Sequence, residues 1–467
     1  MQRGIYMAAT FLFAILIPRM MGPSHYGQFA LLISLSFMFT MLSDFGSTQI
    51  MGRYVPQFTL QGEMESSKKL LNSFLMLALV SGTLAAGLYL LITYFWLKDI
   101  HFSSLLAMAM TVLIRSGSNP LFTFFLGLNQ AARWGSKDFF NRLLSIPLMI
   151  VFFYLGGLPG ACLGLLLTEI SILFLGMWWG RSYLSRSYMR LDLHSLSPYL
   201  QFGLLFFISH LFSTTLYYSG GVLIRAVNPD YTQVSYFELA HKIFTTASFA
   251  YPQFSFSFAP LMTILLKKGH TENLRQWVEQ LLKWLAVAGV GIMFCFLLLG
   301  GDMVRLILGK AYQPVATNLL PLSFVFFFLA LNSVTSLLAL VYERPKLALT
   351  ASIIRLAVFW GTGFFLIPLW GSFGGCLAFL IAIISSAIYL TWQTRVHLSY
   401  SLRRWISAIG SGAFFLPLLW FRSSLLVNVA LFIFFLIGYM VILFLLRIIT
   451  WSEIRTLGQT LTSGMTR

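Results

Sequence analysis

The chain has 467 residues, 58% of them hydrophobic and 10% charged, against roughly 25% charged in an ordinary soluble domain. A soluble protein of this size could not cover its surface, and the apolar residues come in blocks near the roughly 20 that cross a bilayer core. The 31 Lys+Arg against 14 Asp+Glu give a net +17, which in a soluble chain would suggest nucleic acid; here its meaning depends on where the charges lie.

The pattern predicts an all-α polytopic membrane protein of about fourteen transmembrane helices, with twelve as the fallback. In chain order the spans are 4–21, 27–50, 70–97, 103–128, 138–156 and 158–180, then 199–224, 234–264, 280–300, 316–342, 346–368 and 371–393, then 402–421 and 424–446. Arg3 precedes the first span without a small-residue cleavage site, so that span reads as a retained helix. The connections are short, which places any chemistry within or at the membrane. Cys162, Cys295 and Cys376 stand singly in apolar stretches, which suits packing and neither a disulfide framework nor a Cys-rich metal site.

Orientation follows from counting Lys+Arg on the two sides. The side that holds both termini collects 22, the opposite side has 6, and Arg115, Lys242 and Arg355 fall within spans. Both termini are therefore expected in the cytoplasm. With the acids included the cytoplasmic side carries 22 − 8 = +14, the outer side 6 − 3 = +3 and the spans 3 − 3 = 0. The excess charge is topology, and no nucleic-acid partner is needed to explain it.

Two internal matches recur at a six-span interval. Arg19-Met-Met-Gly-Pro23-Ser-His-Tyr26 ends span 1, and Arg225-Ala-Val-Asn-Pro229-Asp-Tyr231 ends span 7. Gly157-Leu-Pro-Gly160 joins spans 5 and 6, and Gly371-Ser-Phe-Gly374 joins spans 11 and 12. Arg142 and Arg355 precede those glycines by 15 and 16 residues. An even interval implies parallel repeats about an axis along the membrane normal. The expected division is a six-helix bundle over 1–180, a cytoplasmic linker over 181–198, a second six-helix bundle over 199–395, and two extra helices with a cytoplasmic tail over 396–467.

An ionisable side chain inside a span costs about 2.5–3.5 kcal/mol on insertion scales and faces a cavity or a partner. The candidates are Asp44, Arg115, Glu169, His210, Glu238, His241, Lys242 and Arg355. Glu238 and Lys242 are i,i+4 neighbours with His241 between them. They form either a self-neutralised pair that stabilises its helix, or a functional site where Lys242 or His241 meets an anionic headgroup or where Glu238 and His241 relay protons. Arg115 and Arg355 lie too deep to snorkel and suit phosphate or carboxylate, the bland alternative for Arg115 being helix carbonyls or Glu169. Asp44, read as deep in span 2, either pairs with a cation or ties two helices together. Tyr217, Tyr218, Tyr251 and Phe254 fall on spans 7 and 8, where sugars or lipid could meet them. Phosphate-loop, zinc-site, nucleophile-elbow and Asp-x-Asp signatures are absent, so neither a cofactor nor a metal is expected, and the chain reads as a transporter and not an enzyme.

The stretch Arg19-Met-Met-Gly-Pro-Ser-His-Tyr-Gly-Gln-Phe-Ala-Leu31, with Ser43-Asp-Phe-Gly46 and Arg53-Tyr54, resembles the start of the polysaccharide transporter family. These are the O-antigen and lipid-linked oligosaccharide flippases of the multidrug/oligosaccharidyl-lipid/polysaccharide exporter superfamily. The resemblance covers about the first 60 residues and then rests on the six-plus-six-plus-two layout. It departs in the lead, since only Met1, Gln2 and Arg3 precede span 1 where such proteins carry a longer cytoplasmic segment.

The resemblance implies two bundles around a cavity lined by spans 1, 2, 7 and 8 in a bacterial inner membrane. The cargo would be an undecaprenyl-pyrophosphate-linked glycan, for lipopolysaccharide O-antigen or exopolysaccharide, moved from the cytoplasmic to the outer leaflet. Expected substrate contacts are Lys242, His241, Arg225, Arg19, Arg355 and Arg115. Glu238 and Asp44 are the expected coupling residues for H+ or Na+. Implied partners are the lipid-linked glycan, membrane lipid, and the glycan polymerase and glycosyltransferases of the pathway. A cation-coupled multidrug exporter of the same superfamily is the nearest rival. A membrane glycosyltransferase or polymerase is a rival of another class, for which the outer acids Asp99, Asp230 and Asp302 lie on loops that are too short.

Overall fold

The computed structural model describes residues 2–188, 193–450 and Glu453. The described residues hold fourteen α-helices and no strand: α1 (Gln2–Leu42), α2 (Ser47–Leu60), α3 (Met64–Trp96), α4 (Phe102–Gly127), α5 (Ala131–Gly180), α6 (Leu193–Val227), α7 (Tyr231–Ser248), α8 (Ala250–Ser257), α9 (Ala259–Lys267), α10 (Thr271–Ile307), α11 (Gln313–Val341), α12 (Pro345–Arg395), α13 (Arg403–Ala413) and α14 (Leu425–Leu445). The all-α polytopic class is as expected, and the chain is a multi-pass membrane protein.

Ten helical segments among the described residues are long and apolar enough to cross a membrane, against about fourteen predicted spans. The tally differs because some long helices contain a backbone break. α5, with 50 residues, would reach about 75 Å at 1.5 Å per residue if straight, far beyond the roughly 30 Å hydrocarbon core. It breaks at Gly157 (φ 61°, ψ −139°). A Cβ at Gly160 would lie 1.8 Å from the Phe152 carbonyl oxygen, and one at Gly164 would lie 2.8 Å from that of Leu148. Residue pairs 152/160 and 148/164 share one sum, the signature of two antiparallel arms, so α5 is a helical hairpin.

α12 repeats this device. It breaks at Gly371 (φ 55°, ψ −132°), and a Cβ at Gly374 would lie 2.1 Å from the Leu366 carbonyl oxygen. Each of the three positions lies 214 residues beyond its α5 counterpart, the offset of the Gly-x-x-Gly match. Only a residue without a Cβ accepts both the left-handed φ and the close backbone approach. α1 is likewise interrupted, at Gly22 (φ 72°, ψ 167°), and Pro23 then restarts the helix at a position where its missing N–H is no loss.

One predicted boundary is corrected. Span 2 was drawn to residue 50, but α1 ends at Leu42 and a turn follows over 43–46, where Phe45 (φ 48°) and Gly46 (φ 76°) take the left-handed region. Asp44 therefore sits in a turn and not deep within a span. α2 then starts a separate helix that buries Ile50, Met51 and Val55.

Packing divides the chain into two compact units, Met1–Glu238 and Leu239–Arg467, with the division inside α7. In the second unit α13 and α14 pack on α10. Phe294 stacks on Phe435 with ring centroids 4.0 Å apart, and the Tyr439 hydroxyl donates to the Ala408 carbonyl at 2.8 Å. The Lys283 side chain is fully buried, and its ammonium meets a Glu453 carboxylate oxygen at 2.8 Å and donates to the Ile448 carbonyl at 3.1 Å. Both partners lie beyond α14, so the segment after the last helix neutralises a charge buried in α10. Burial alone would raise the Glu453 carboxyl, but the Lys283 ammonium and the Thr450 N–H hold it below its ordinary value.

Removing one partner of a buried pair costs about 3–5 kcal/mol, and the 20% exposure of Glu453 puts Glu453→Ala at the lower end. The expected result is a lower melting temperature of the detergent-purified protein. Because the folded carboxyl titrates below its unfolded value of 4.5, the stabilisation is complete above that pH and disappears as pH falls through the folded value. Acidification should therefore destabilise the wild type more than Glu453→Gln.

Candidate functional site

The first unit carries a buried charge that organises its polar residues. Arg115 on α4 is 6% exposed and Glu169, on the second arm of α5, is 1% exposed. Arg115 donates from Nε and Nη2 to one Glu169 oxygen at 3.0 and 2.8 Å, and from Nη1 to the Ser36 hydroxyl at 3.4 Å. Its guanidinium lies 4.2 Å from the centre of the Phe37 ring. Asn141, on the first arm of α5, donates to the same Glu169 oxygen at 3.0 Å. α4 and both arms of the hairpin thus converge on one carboxylate. Close by, Ser43 and Ser116 share a hydrogen bond of 2.6 Å, and Gly82 leaves room for Ser116, since a Cβ there would approach it to 2.7 Å.

One helical turn further along both elements the network opens into a cavity. Asn119 lies four residues after Arg115, and Lys137 four residues before Asn141. The Lys137 ammonium donates to the Asn119 side-chain carbonyl and sits 5.8 Å from the Phe122 ring centre. The cavity measures about 400 Å³, and besides these three residues Met41, Asp44, Thr48, Thr123, Trp134, Asp138 and His210 line it. Asp44 accepts a hydrogen bond from Ser47 at 2.6 Å, which fixes the turn after α1. Two carboxylates outnumber the one ammonium of the lining, and with the imidazole and the amide they supply both donors and acceptors.

The expected site residues of the first unit are dispersed along its helices and the turn after α1. Asp44 lines the cavity, and Arg115 lies a turn away, engaged by Glu169. Glu238 accepts from the Ser34 hydroxyl at 3.3 Å and from the Gly221 backbone N–H at 3.2 Å. Arg225 donates to the Pro229 carbonyl at 2.9 Å, meets Asp99 at 3.4 Å and stacks 4.4 Å from the Tyr231 ring centre. Arg19 is exposed. In the second unit His241 is buried with its ring 5.0 Å edge-on to Phe379, and Lys242 is half-buried. Arg355, also there, donates to the Ser352 hydroxyl at 3.2 Å.

Lys137, Asp138 and Trp134 were missed as cavity residues because the predicted span began at 138, whereas α5 begins at Ala131. Their charges read as loop charges. The signal that could have found them is the helical spacing of Lys137 to Asn141, which matches that of Arg115 to Asn119.

The sequence model of the family described as "Polysaccharide biosynthesis protein" matches residues 2–265. The chain belongs to this family. Comparison with curated proteins found no match. Among solved structures, an inward-facing multidrug resistance MATE family transporter of the MOP superfamily aligns with TM-score 0.70 and 17% identity, over 85% of this chain and 95% of that one. The lipid II flippase MurJ in an inward closed conformation aligns with TM-score 0.62 and 14% identity, over 93% and 97%. An outward-facing MATE structure aligns with TM-score 0.56 and 16% identity, over 85% and 93%. At these identities the likeness establishes a shared fold.

Arg115→Ala leaves Glu169 buried without its cation and is expected to cost about 3–5 kcal/mol. Thermal unfolding and membrane abundance should both show the loss. The double variant Arg115→Leu with Glu169→Leu should recover most of it, because an apolar pair of similar volume is often no less stable than the buried ion pair.

Proposed function

We propose that the protein is a flippase that moves a polyprenyl-pyrophosphate-linked oligosaccharide from the cytoplasmic to the outer leaflet of a bacterial inner membrane, for cell-surface polysaccharide synthesis. The observation that carries this reading is the conjunction of a polysaccharide biosynthesis family match over residues 2–265 with a fold shared by a lipid II flippase. Movement is by alternating access of the bundles over 1–180 and 199–395, with both termini cytoplasmic as the 22 to 6 charge asymmetry requires. In that orientation the cavity of the first unit opens near the cytoplasmic ends of α4 and α5, where a headgroup made in the cytoplasm arrives.

Lys242, His241, Arg225, Arg355 and Arg19 are the proposed pyrophosphate contacts, with H+ or Na+ coupling through Asp44 and Glu238. Arg115 is assigned to holding the first unit together, because its donors are committed to Glu169 and Ser36. A multidrug exporter would present surplus carboxylates to cationic drugs. Here the two carboxylates Asp44 and Asp138 share the cavity with the Lys137 ammonium, and it is the polysaccharide biosynthesis family match that favours a glycan cargo.

Deletion of the gene is expected to trap lipid-linked oligosaccharide in the inner leaflet, measured by its protection from an impermeant glycan label in intact cells. Normal outer-leaflet exposure in a deletion strain without a redundant flippase would refute the proposal. Lys242→Ala is expected to abolish export at unchanged membrane abundance; a parallel fall in abundance would assign Lys242 to structure.

A further inference from the structure

We infer that the cavity of the first unit is a saccharide subsite in which Trp134 is the stacking platform and Asn119, Asp44, Asp138 and Lys137 bond the ring hydroxyls. The inference deepens the flippase reading and rests on it for the source of the saccharide.

The chemistry of the lining selects the ligand class. A pyranose presents an apolar face of C–H bonds and a rim of hydroxyls, each both donor and acceptor. Trp134 lines the cavity while keeping 42% of its surface exposed, an indole placed where one side is apolar and the other wet. Around it stand two carboxylates that only accept, an ammonium that only donates and an amide that does both. The volume of about 400 Å³ falls within the range of roughly 300–1,000 Å³ for small-ligand sites and suits a saccharide unit but not a polyprenyl chain.

The same lining disfavours the other parts of the substrate. A pyrophosphate carries several negative charges and would have to enter beside Asp44 and Asp138, with the single ammonium of Lys137 in the lining to offset them. A lipid tail would strip water from those carboxylates and offer them no hydrogen bond in its place, a cost that apolar contact does not offset. The headgroup sugars therefore occupy the first unit's cavity, and the pyrophosphate lies elsewhere.

The test is saturation-transfer NMR on the full-length protein in detergent. The probes are the oligosaccharide released by mild acid from the host's polyprenyl-linked fraction and, separately, inorganic pyrophosphate. The oligosaccharide should receive saturation at ring C–H protons, and excess pyrophosphate should leave that signal unchanged. Trp134→Ala should weaken binding by about tenfold, a loss of about 1.4 kcal/mol, whereas Trp134→Phe should keep most of it and verifies that position 134 tolerates change. Absence of saturation, displacement by pyrophosphate, or undiminished binding in Trp134→Ala would each overturn the subsite. Because the readout is binding, the two readings fail separately. Oligosaccharide that does not bind while gene deletion still traps the lipid-linked glycan sinks the subsite alone. Unimpaired export after deletion sinks the flippase reading.

Discussion

A hydrocarbon surround cannot solvate an ion, so every charge inside the first unit must be met by protein. Arg115 and Glu169 show how much structure that demand controls. Glu169 lies on the second arm of α5 and reaches α4 only because the chain turns back at Gly157. Asn141, on the first arm, donates to the same carboxylate oxygen as Arg115. The hairpin is thereby held on α4 by a polar contact whose partners cannot be replaced singly, and spacings of four residues from Arg115 and from Asn141 deliver Asn119 and Lys137 to the cavity. The wall of the site is positioned by the pair that does not itself line it.

Part of this was legible in the residues. The Gly-x-x-Gly match at 157–160 and 371–374 reports a shared backbone, since both hairpins break with nearly the same φ and ψ and bring the same-numbered carbonyl, eight residues before the second glycine, against it. Glycine encodes these turns because any side chain would collide, and so the motif is visible without long-range information. The break at Gly22-Pro23 is legible for a similar reason. The Arg115 to Glu169 pairing was an open alternative, because helical periodicity gives the face a residue occupies but not which helix faces it.

What escaped the sequence were boundaries where polar residues continue a helix beyond its apolar run. Hydropathy stops α5 at residue 138, yet the helix continues back to Ala131, since Trp134, Lys137 and Asp138 are served by the cavity and not by lipid. Asp44 was misplaced for the opposite reason. Ile50 and Met51 look like a continuing span because α2 buries them against protein, and nothing in the apolar pattern announces the left-handed backbone at Phe45. Composition separates lipid from water, but a protein-lined cavity offers a third environment that it does not distinguish.

The basic residues carry this point furthest. Counting by loop assigned Lys137 and Lys283 to the cytoplasmic surface, where they contribute to the 22 to 6 asymmetry. Lys137 instead bonds Asn119 in the cavity, and Lys283 is fully buried against Glu453 and Ile448. A basic residue at a helix end biases insertion whether or not it is later covered. Coverage then changes its physical role. Lys283 becomes the anchor for the chain after α14, which it ties to α10 through Glu453, while Phe294 of α10 stacks on Phe435 of α14. Charge at a helix end can thus also serve as the specific polar contact that packing alone could not supply, as Lys283 does with Glu453.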